Sequence, residues 1–207
     1  TDPTSPTLRG LYPNFAPQQM LIKDNLLFAS IPYSAPEWAG GEVRILNLDQ
    51  PTSPTTRSIY RTGMVADMAL NGSWLYIAGG YNNVLRVLDV SDPTSITQRT
   101  VLNLPGLDRP GRLSLANASR LYVIDFTSVA ALDLTNPVQP VLLGQADANY
   151  LQDSGGDVLA AGDHALVLDN FSSGVTVYDF SRPNQPRNVY SKYSDLGSWG
   201  HGFLVNG

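Results

Sequence analysis

Leu75-Tyr76-Ile77-Ala78-Gly79-Gly80, then Val84-Leu85-Arg86-Val87-Leu88-Asp89-Val90-Ser91-Asp92-Pro93, is the stretch that decides the fold of this chain. It reads as two short apolar strands joined by a glycine-bearing loop and stopped by an Asp-Pro turn. The turn recurs as Asp2-Pro3-Thr4-Ser5-Pro6, Gln50-Pro51-Thr52-Ser53-Pro54, Asn136-Pro137-Val138-Gln139-Pro140 and Arg182-Pro183-Asn184-Gln185-Pro186. Across all five copies the leading prolines lie 48, 42, 44 and 46 residues apart. The strand before the turn recurs as Val43–Leu48, Val129–Leu134 and Val175–Phe180. Its fifth position is Asn47, Asp89, Asp133 or Asp179, short polar side chains that can accept hydrogen bonds from the turn backbone.

Upstream in each copy stands a strand centred on Leu27-Phe28, Leu75-Tyr76, Leu121-Tyr122 or Ala165-Leu166. Before that comes another, at Met20–Ile22, Met68–Leu70, Leu113–Leu115 and Val158–Ala160, with Phe203–Val205 opening a further copy. A fourth strand follows each turn, as in Thr97–Leu102, and no stretch has helical periodicity. Four strands in about 45 residues, repeated, predict an all-β β-propeller of four-stranded blades. A β-sandwich also has short strands and frequent turns, but it has no reason to repeat its sequence. The expected layout is one propeller region over 1–207. Residues 1–18 end one blade; 19–63, 64–105, 106–148 and 149–196 form complete blades; 197–207 supply the first strand of the next. Val43, Ile45, Leu85, Val87, Val175 and Val177 should pack between neighbouring blades. Joining the two ends gives a blade without its middle strands, so the expectation is a partial ring within a longer protein. Thr1, in place of Met, reads the same way or as processing.

Composition narrows the partners. The net charge is −5, charged residues make up 15%, and no Lys/Arg cluster exists, which argues against nucleic acid and anionic membrane surfaces. No apolar run is long enough to span a bilayer. Cysteine is absent, which excludes disulfides, thiolate catalysis and Cys-ligated zinc while leaving secretion open.

The pattern resembles the LVIVD repeat family, whose units combine a Leu-Tyr-Val-Ala strand with a Val-Val-Asp-Val-Ser-Asp-Pro strand and turn. Residues 75–80 and 84–93 match best, and the likeness recurs in order over nearly the whole chain. Departures are Asp125-Phe126-Thr127-Ser128 in place of a Gly-rich loop, and an insertion from Ile31 to Gly41. The resemblance implies a propeller from a secreted or cell-surface protein and supplies no catalytic residues.

Strands alternate direction within a blade, so the strand 1–2 turns share a face with the proline turns. The strand 2–3 loops lie on the other face with the starts of the first strands, and by analogy with propellers that face meets ligands. Gln19, Asp67, Arg112, Asp157 and Gly202 fall at one equivalent position there, 48, 45, 45 and 45 residues apart, with His201 beside the last. Asp67, Arg112, Asp157 and His201 are candidates for gripping a polar ligand or cation, against the plain alternative of a wet channel mouth. Tyr33 and Trp38, in the insertion, are candidate interface anchors, unless Trp38 folds back over its own blade.

Enzyme signatures are weak. His164 and His201 fall on opposite faces, no Gly-x-Ser-x-Gly elbow exists, and Asp153–Asp157 lacks the ligand count of an EF-hand. No catalytic residue, metal site or cofactor is expected. Asn71, Asn117 and Asn170 head Asn-x-Ser sequons in predicted turns and are candidate glycosylation sites. The leading expectation is a structural or interaction module outside the cell (extracellular, cell-surface or periplasmic), binding a protein or glycan or self-assembling. The alternative is a lactonase- or quinoprotein-like enzyme with a metal or cofactor at the channel mouth.

Overall fold

A computed structural model describes residues 5, 12, 16–31, 40–79, 83–148, 156–169 and 174–193. The chain is an all-β propeller segment of four antiparallel four-stranded sheets, each in simple sequence order. The first blade comprises β1 (Gln19–Lys23), β2 (Leu26–Ile31), β3 (Glu42–Asn47) and β4 (Thr55–Arg61). The second has β5 (Asp67–Asn71), β6 (Trp74–Ala78), β7 (Val84–Asp89) and β8 (Thr97–Asn103). The third has β9 (Arg112–Asn117), β10 (Arg120–Ile124), β11 (Ser128–Asp133) and β12 (Val141–Asp147). The fourth has β13 (Asp157–Ala161), β14 (His164–Asp169), β15 (Gly174–Asp179) and β16 (Arg187–Tyr193). The described residues contain no helix. The strands beginning at residues 7 and 203, Tyr33, Trp38, His201, Gly202 and Asn170 lie outside the described residues.

The sequence repeat becomes a repeat of bonds. The fifth-position side chain takes the backbone N–H two residues on in every blade: Asn47 from Asp49 (3.1 Å), Asp89 from Ser91 (3.0 Å), Asp133 from Thr135 (2.7 Å) and Asp179 from Ser181 (2.8 Å). Each proline turn then closes i to i+3, with Ser53, Ser95, Gln139 and Gln185 donating to Gln50, Asp92, Asn136 and Arg182. The residue after each third strand (Leu48, Val90, Leu134, Phe180) donates to the strand 1–2 turn at Asn25, Ser73, Ser119 and Asp163. The two turn types therefore share one face, as alternation requires. A one-residue bulge recurs between strands 3 and 4, at Ile45/Leu46, Val87/Leu88, Ala131/Leu132 and Val177/Tyr178.

Alternation gives every sheet two apolar faces, and the cores lie between sheets. Val43 and Ile45 meet Met68, Leu75 and Ile77 between the first and second blades. Leu85 and Val87 meet Leu113, Leu121 and Val123 between the second and third. Tyr122 and Ile124 meet Val158, Val167 and Phe180 between the third and fourth. Val175 and Val177 depart from the pattern: both are only half-buried, because no sheet among the described residues covers that side. The far side of the first blade is equally open, with Met20 58% exposed against 1% for its equivalent Met68.

Outer strands dock onto the next blade's proline turn through their fourth residue. Ser58 donates to the Pro93 carbonyl at 2.8 Å and Thr100 to the Val138 carbonyl at 2.6 Å. Gly144 holds the same position in β12, where a Cβ would fall 1.6 Å from the Pro183 oxygen. Gly144→Ala should therefore force the third and fourth blades apart and cost about 3 kcal/mol or more, beyond ordinary overpacking. Urea unfolding would show this; an unchanged midpoint would mean that the two blades are not held at this contact.

Candidate functional site

The first strands of adjacent sheets approach one another, β1 to β5, β5 to β9 and β9 to β13, and so face the axis. Each is a sheet edge with unpaired N–H and C=O groups that need partners. Polar side chains at the strand starts supply them. Gln19 accepts from Met68 N at 2.6 Å and donates to Met68 O at 2.9 Å. One Asp67 oxygen accepts from its neighbour Met68 N at 2.8 Å, and the other from Leu113 N of the third blade at 2.7 Å. Ser114 continues the series by accepting from Ala160 N at 2.9 Å. Arg112 cannot accept, and it reaches back to the Ala66 carbonyl at 3.1 Å. Asp157 accepts from Val158 N of its own strand at 3.0 Å.

The structure thus brings Asp67, Arg112 and Asp157 to one end of three neighbouring strands, close enough for Arg112 and Asp157 to act on the Asp67 carboxyl. Asp67 is 6% exposed, so this position is a clamp between blades as well as a channel lining. Burial pushes its carboxyl up to about 7; the bonds from Leu113 and Met68 and the Arg112 guanidinium oppose the rise, and Asp157 adds to it.

Asn71 and Asn117 sit at the ends of first strands on the proline-turn face. The Asn71 amide nitrogen, the atom a glycan would occupy, donates to Ala118 O across the blade gap at 2.7 Å. Asn117 is exposed, and its amide oxygen accepts from Ser119 N at 2.8 Å. Along the inner strands runs a cleft of about 400 Å³ lined by Gln19, Lys23, Leu70, Gly72, Ser114 and Leu115. On the strand 2–3 face, Arg109 lies 5.5 Å from the Phe126 ring centre, and its N–H donates to Asn83 Oδ1 at 3.0 Å. Asn83 and Arg109 both adopt left-handed backbone, at φ 53° and 61°; asparagine enters that region readily, whereas arginine holds it only where surroundings impose it. Among the described residues, no group of three or more His, Asp or Glu is placed to hold a metal ion.

Residues 62–99 match the family model of the LVIVD repeat. The match falls on the second blade. No curated protein sequence matches the chain. Solved structures match by fold. A protein from Lactobacillus plantarum superposes with TM-score 0.68 at 13% identity, over 89% of this chain and 57% of its own. A protein from Bacteroides fragilis, provisionally named a 6-phosphogluconolactonase, gives 0.65 at 11%, over 87% and 57%. One from Bacteroides uniformis with the same provisional name gives 0.64 at 13%, over 83% and 54%. This chain spans little more than half the length of each.

Composition could not single out Asp125, Arg86 or Ser114. Asp125, 4% exposed, fills the departure from the LVIVD loop: it accepts from Asp108 N, Thr127 N and Ser128 N at 2.7, 2.8 and 2.6 Å. A lone Asp replacing glycine in that loop was the one available signal.

The Asp67 carboxyl moves from 3.8 to about 7 on folding, so the native state holds this proton more tightly than the unfolded chain. Its contribution to stability is complete below about pH 4 and is lost as pH rises to about 7. Asp67→Asn should abolish that part of the pH dependence and cost about 1–3 kcal/mol, because one backbone N–H then meets an amide NH2. Urea midpoints of both proteins across this range check it. Parallel curves would remove Asp67 as the source.

Proposed function

We propose that the chain is a binding module of the cell exterior, taking a protein or glycan on its strand 2–3 face. The carrying observation is that the polar side chains gathered at the strand starts are spent on backbone. Both Asp67 oxygens accept N–H groups, Gln19 embraces Met68, and Arg112 reaches Ala66. A general base needs a free lone pair within reach of the proton it takes, and Asp67 offers its lone pairs to the fold. The Asn83–Arg109–Phe126 cluster joins three loops of that face and sets a guanidinium over an aromatic ring, a pairing suited to sugar or protein contacts. Exterior placement is supported by the resemblance of the repeat to secreted and cell-surface proteins.

The alternative is a lactonase, supported by the fold likeness to the two Bacteroides proteins and by nothing finer at 11–13% identity. Assay of 6-phosphogluconolactone hydrolysis with and without added divalent cation separates the readings. The binding module leaves the lactone at its uncatalysed rate, whereas a protein-dependent rate abolished by chelator overturns the proposal. On a glycan array or with a candidate protein partner, Arg109→Ala should weaken binding about tenfold, the worth of one interface anchor, with little change in unfolding.

A further inference from the structure

Arg86 lies in β7 opposite Ile77 of β6, on the side turned toward the first blade, where Ile77 forms part of the shared core. Its Nη1 is fully buried and has no hydrogen-bond partner among the described residues. A guanidinium N–H group withdrawn from water without a hydrogen-bond acceptor is costly, so its persistence asks for a partner.

Comparison of the blades identifies what is missing. In the first blade the equivalent of Arg86 is Arg44, which forms an ion pair with Glu42 two residues before it. Glu42 is itself 6% exposed, so that strand buries a carboxylate beside its arginine. The equivalent of Glu42 in the second blade is Val84, which carries no charge. The third blade has its acid at Asp125, whose equivalent in the second blade is Gly79, and has Ala130 in place of the arginine. The second blade therefore keeps the cation and lacks the acid at both positions. Gly79 packs closely against it: a Cβ there would fall 3.0 Å from Arg86 Nη1 and 2.9 Å from the Val84 carbonyl. Any side chain there would crowd the guanidinium.

We propose that Arg86 anchors a carboxylate-binding site between the first and second blades, near their strand 2–3 face. A carboxylate supplied by a ligand plays the part that Glu42 plays for Arg44. Arg86 as a whole is only partly buried, so the residue is not sealed from solvent even though its Nη1 is. The planar fork matches a carboxylate in two parallel bonds. The inference rests on Arg86 and its neighbours and not on the reading of the strand starts given above, so either can fail alone.

Titration at fixed ionic strength with acetate, glucuronate and N-acetylglutamate methylamide tests it, following the Arg86 Nε–H resonance assigned by its loss in Arg86→Gln. A saturable shift with any of the three supports the site. The tightest of them tells a bare carboxylate from an acidic sugar or an acidic side chain. Val84→Glu supplies the missing acid internally and should abolish the response. Arg86→Lys keeps the charge without the fork and should weaken binding about tenfold, one charge-assisted hydrogen bond. No saturable shift with any probe, an equal response to sulfate, or an undiminished response in a folded Val84→Glu protein would overturn the proposal.

Discussion

Every blade of this chain has two apolar faces and cannot bury either one alone. That constraint governs the rest of the molecule. Leu85 and Val87 are fully buried only because Leu121 and Val123 stand opposite them, and Ile77 only because Val43 and Ile45 do. Stability in such an array is a sum over junctions between neighbours, so a side chain is judged by the gap it fills and not by the sheet that carries it. Val175 and Val177 make the point by contrast: aliphatic residues at the same repeat positions, they are half-buried where no sheet among the described residues stands opposite them.

The junctions are apolar in the middle and polar at their margins. On the axis side, Gln19, Asp67 and Ser114 lend their oxygens to N–H groups at the edge of the next blade. On the rim side, Ser58 and Thr100 lend hydroxyl protons to the next blade's proline turn. These bonds fix the angle at which sheets meet, which packing of branched aliphatic side chains alone leaves loose. They also use up most of the polar groups that a ligand-seeking eye would first notice, which is why the unspent ones, Arg86 above all, stand out.

The fold was legible in the sequence because a repeat reports itself: a proline turn, an Asn or Asp two residues before its first turn N–H, and alternating strands recurred in order. The locations of Asp67, Arg112 and Asp157 at one end of adjacent strands followed from the same register. Their employment did not. A carboxylate at a strand start looks alike in sequence whether it meets water or the neighbour's backbone, and only the distance to Leu113 N separates the two. The Arg86 vacancy was legible in principle, since Glu42-Val43-Arg44 and Val84-Leu85-Arg86 differ by one acid. It acquires meaning only once Nη1 is seen to be buried.

The bulge between the third and fourth strands of every blade has a bearing on how such chains diverge. Arg57, Arg99, Leu143 and Val189 are the residues skipped by the pairing, and three of them are exposed. Elsewhere in a strand, loss or gain of one residue would turn every following side chain from core to solvent. At the bulge the register already contains the extra residue, so an insertion or deletion there is absorbed locally while the inner three strands stay in step. The rim of each blade is thus a place where the gene can gain or lose a single codon without the sheets losing their alignment.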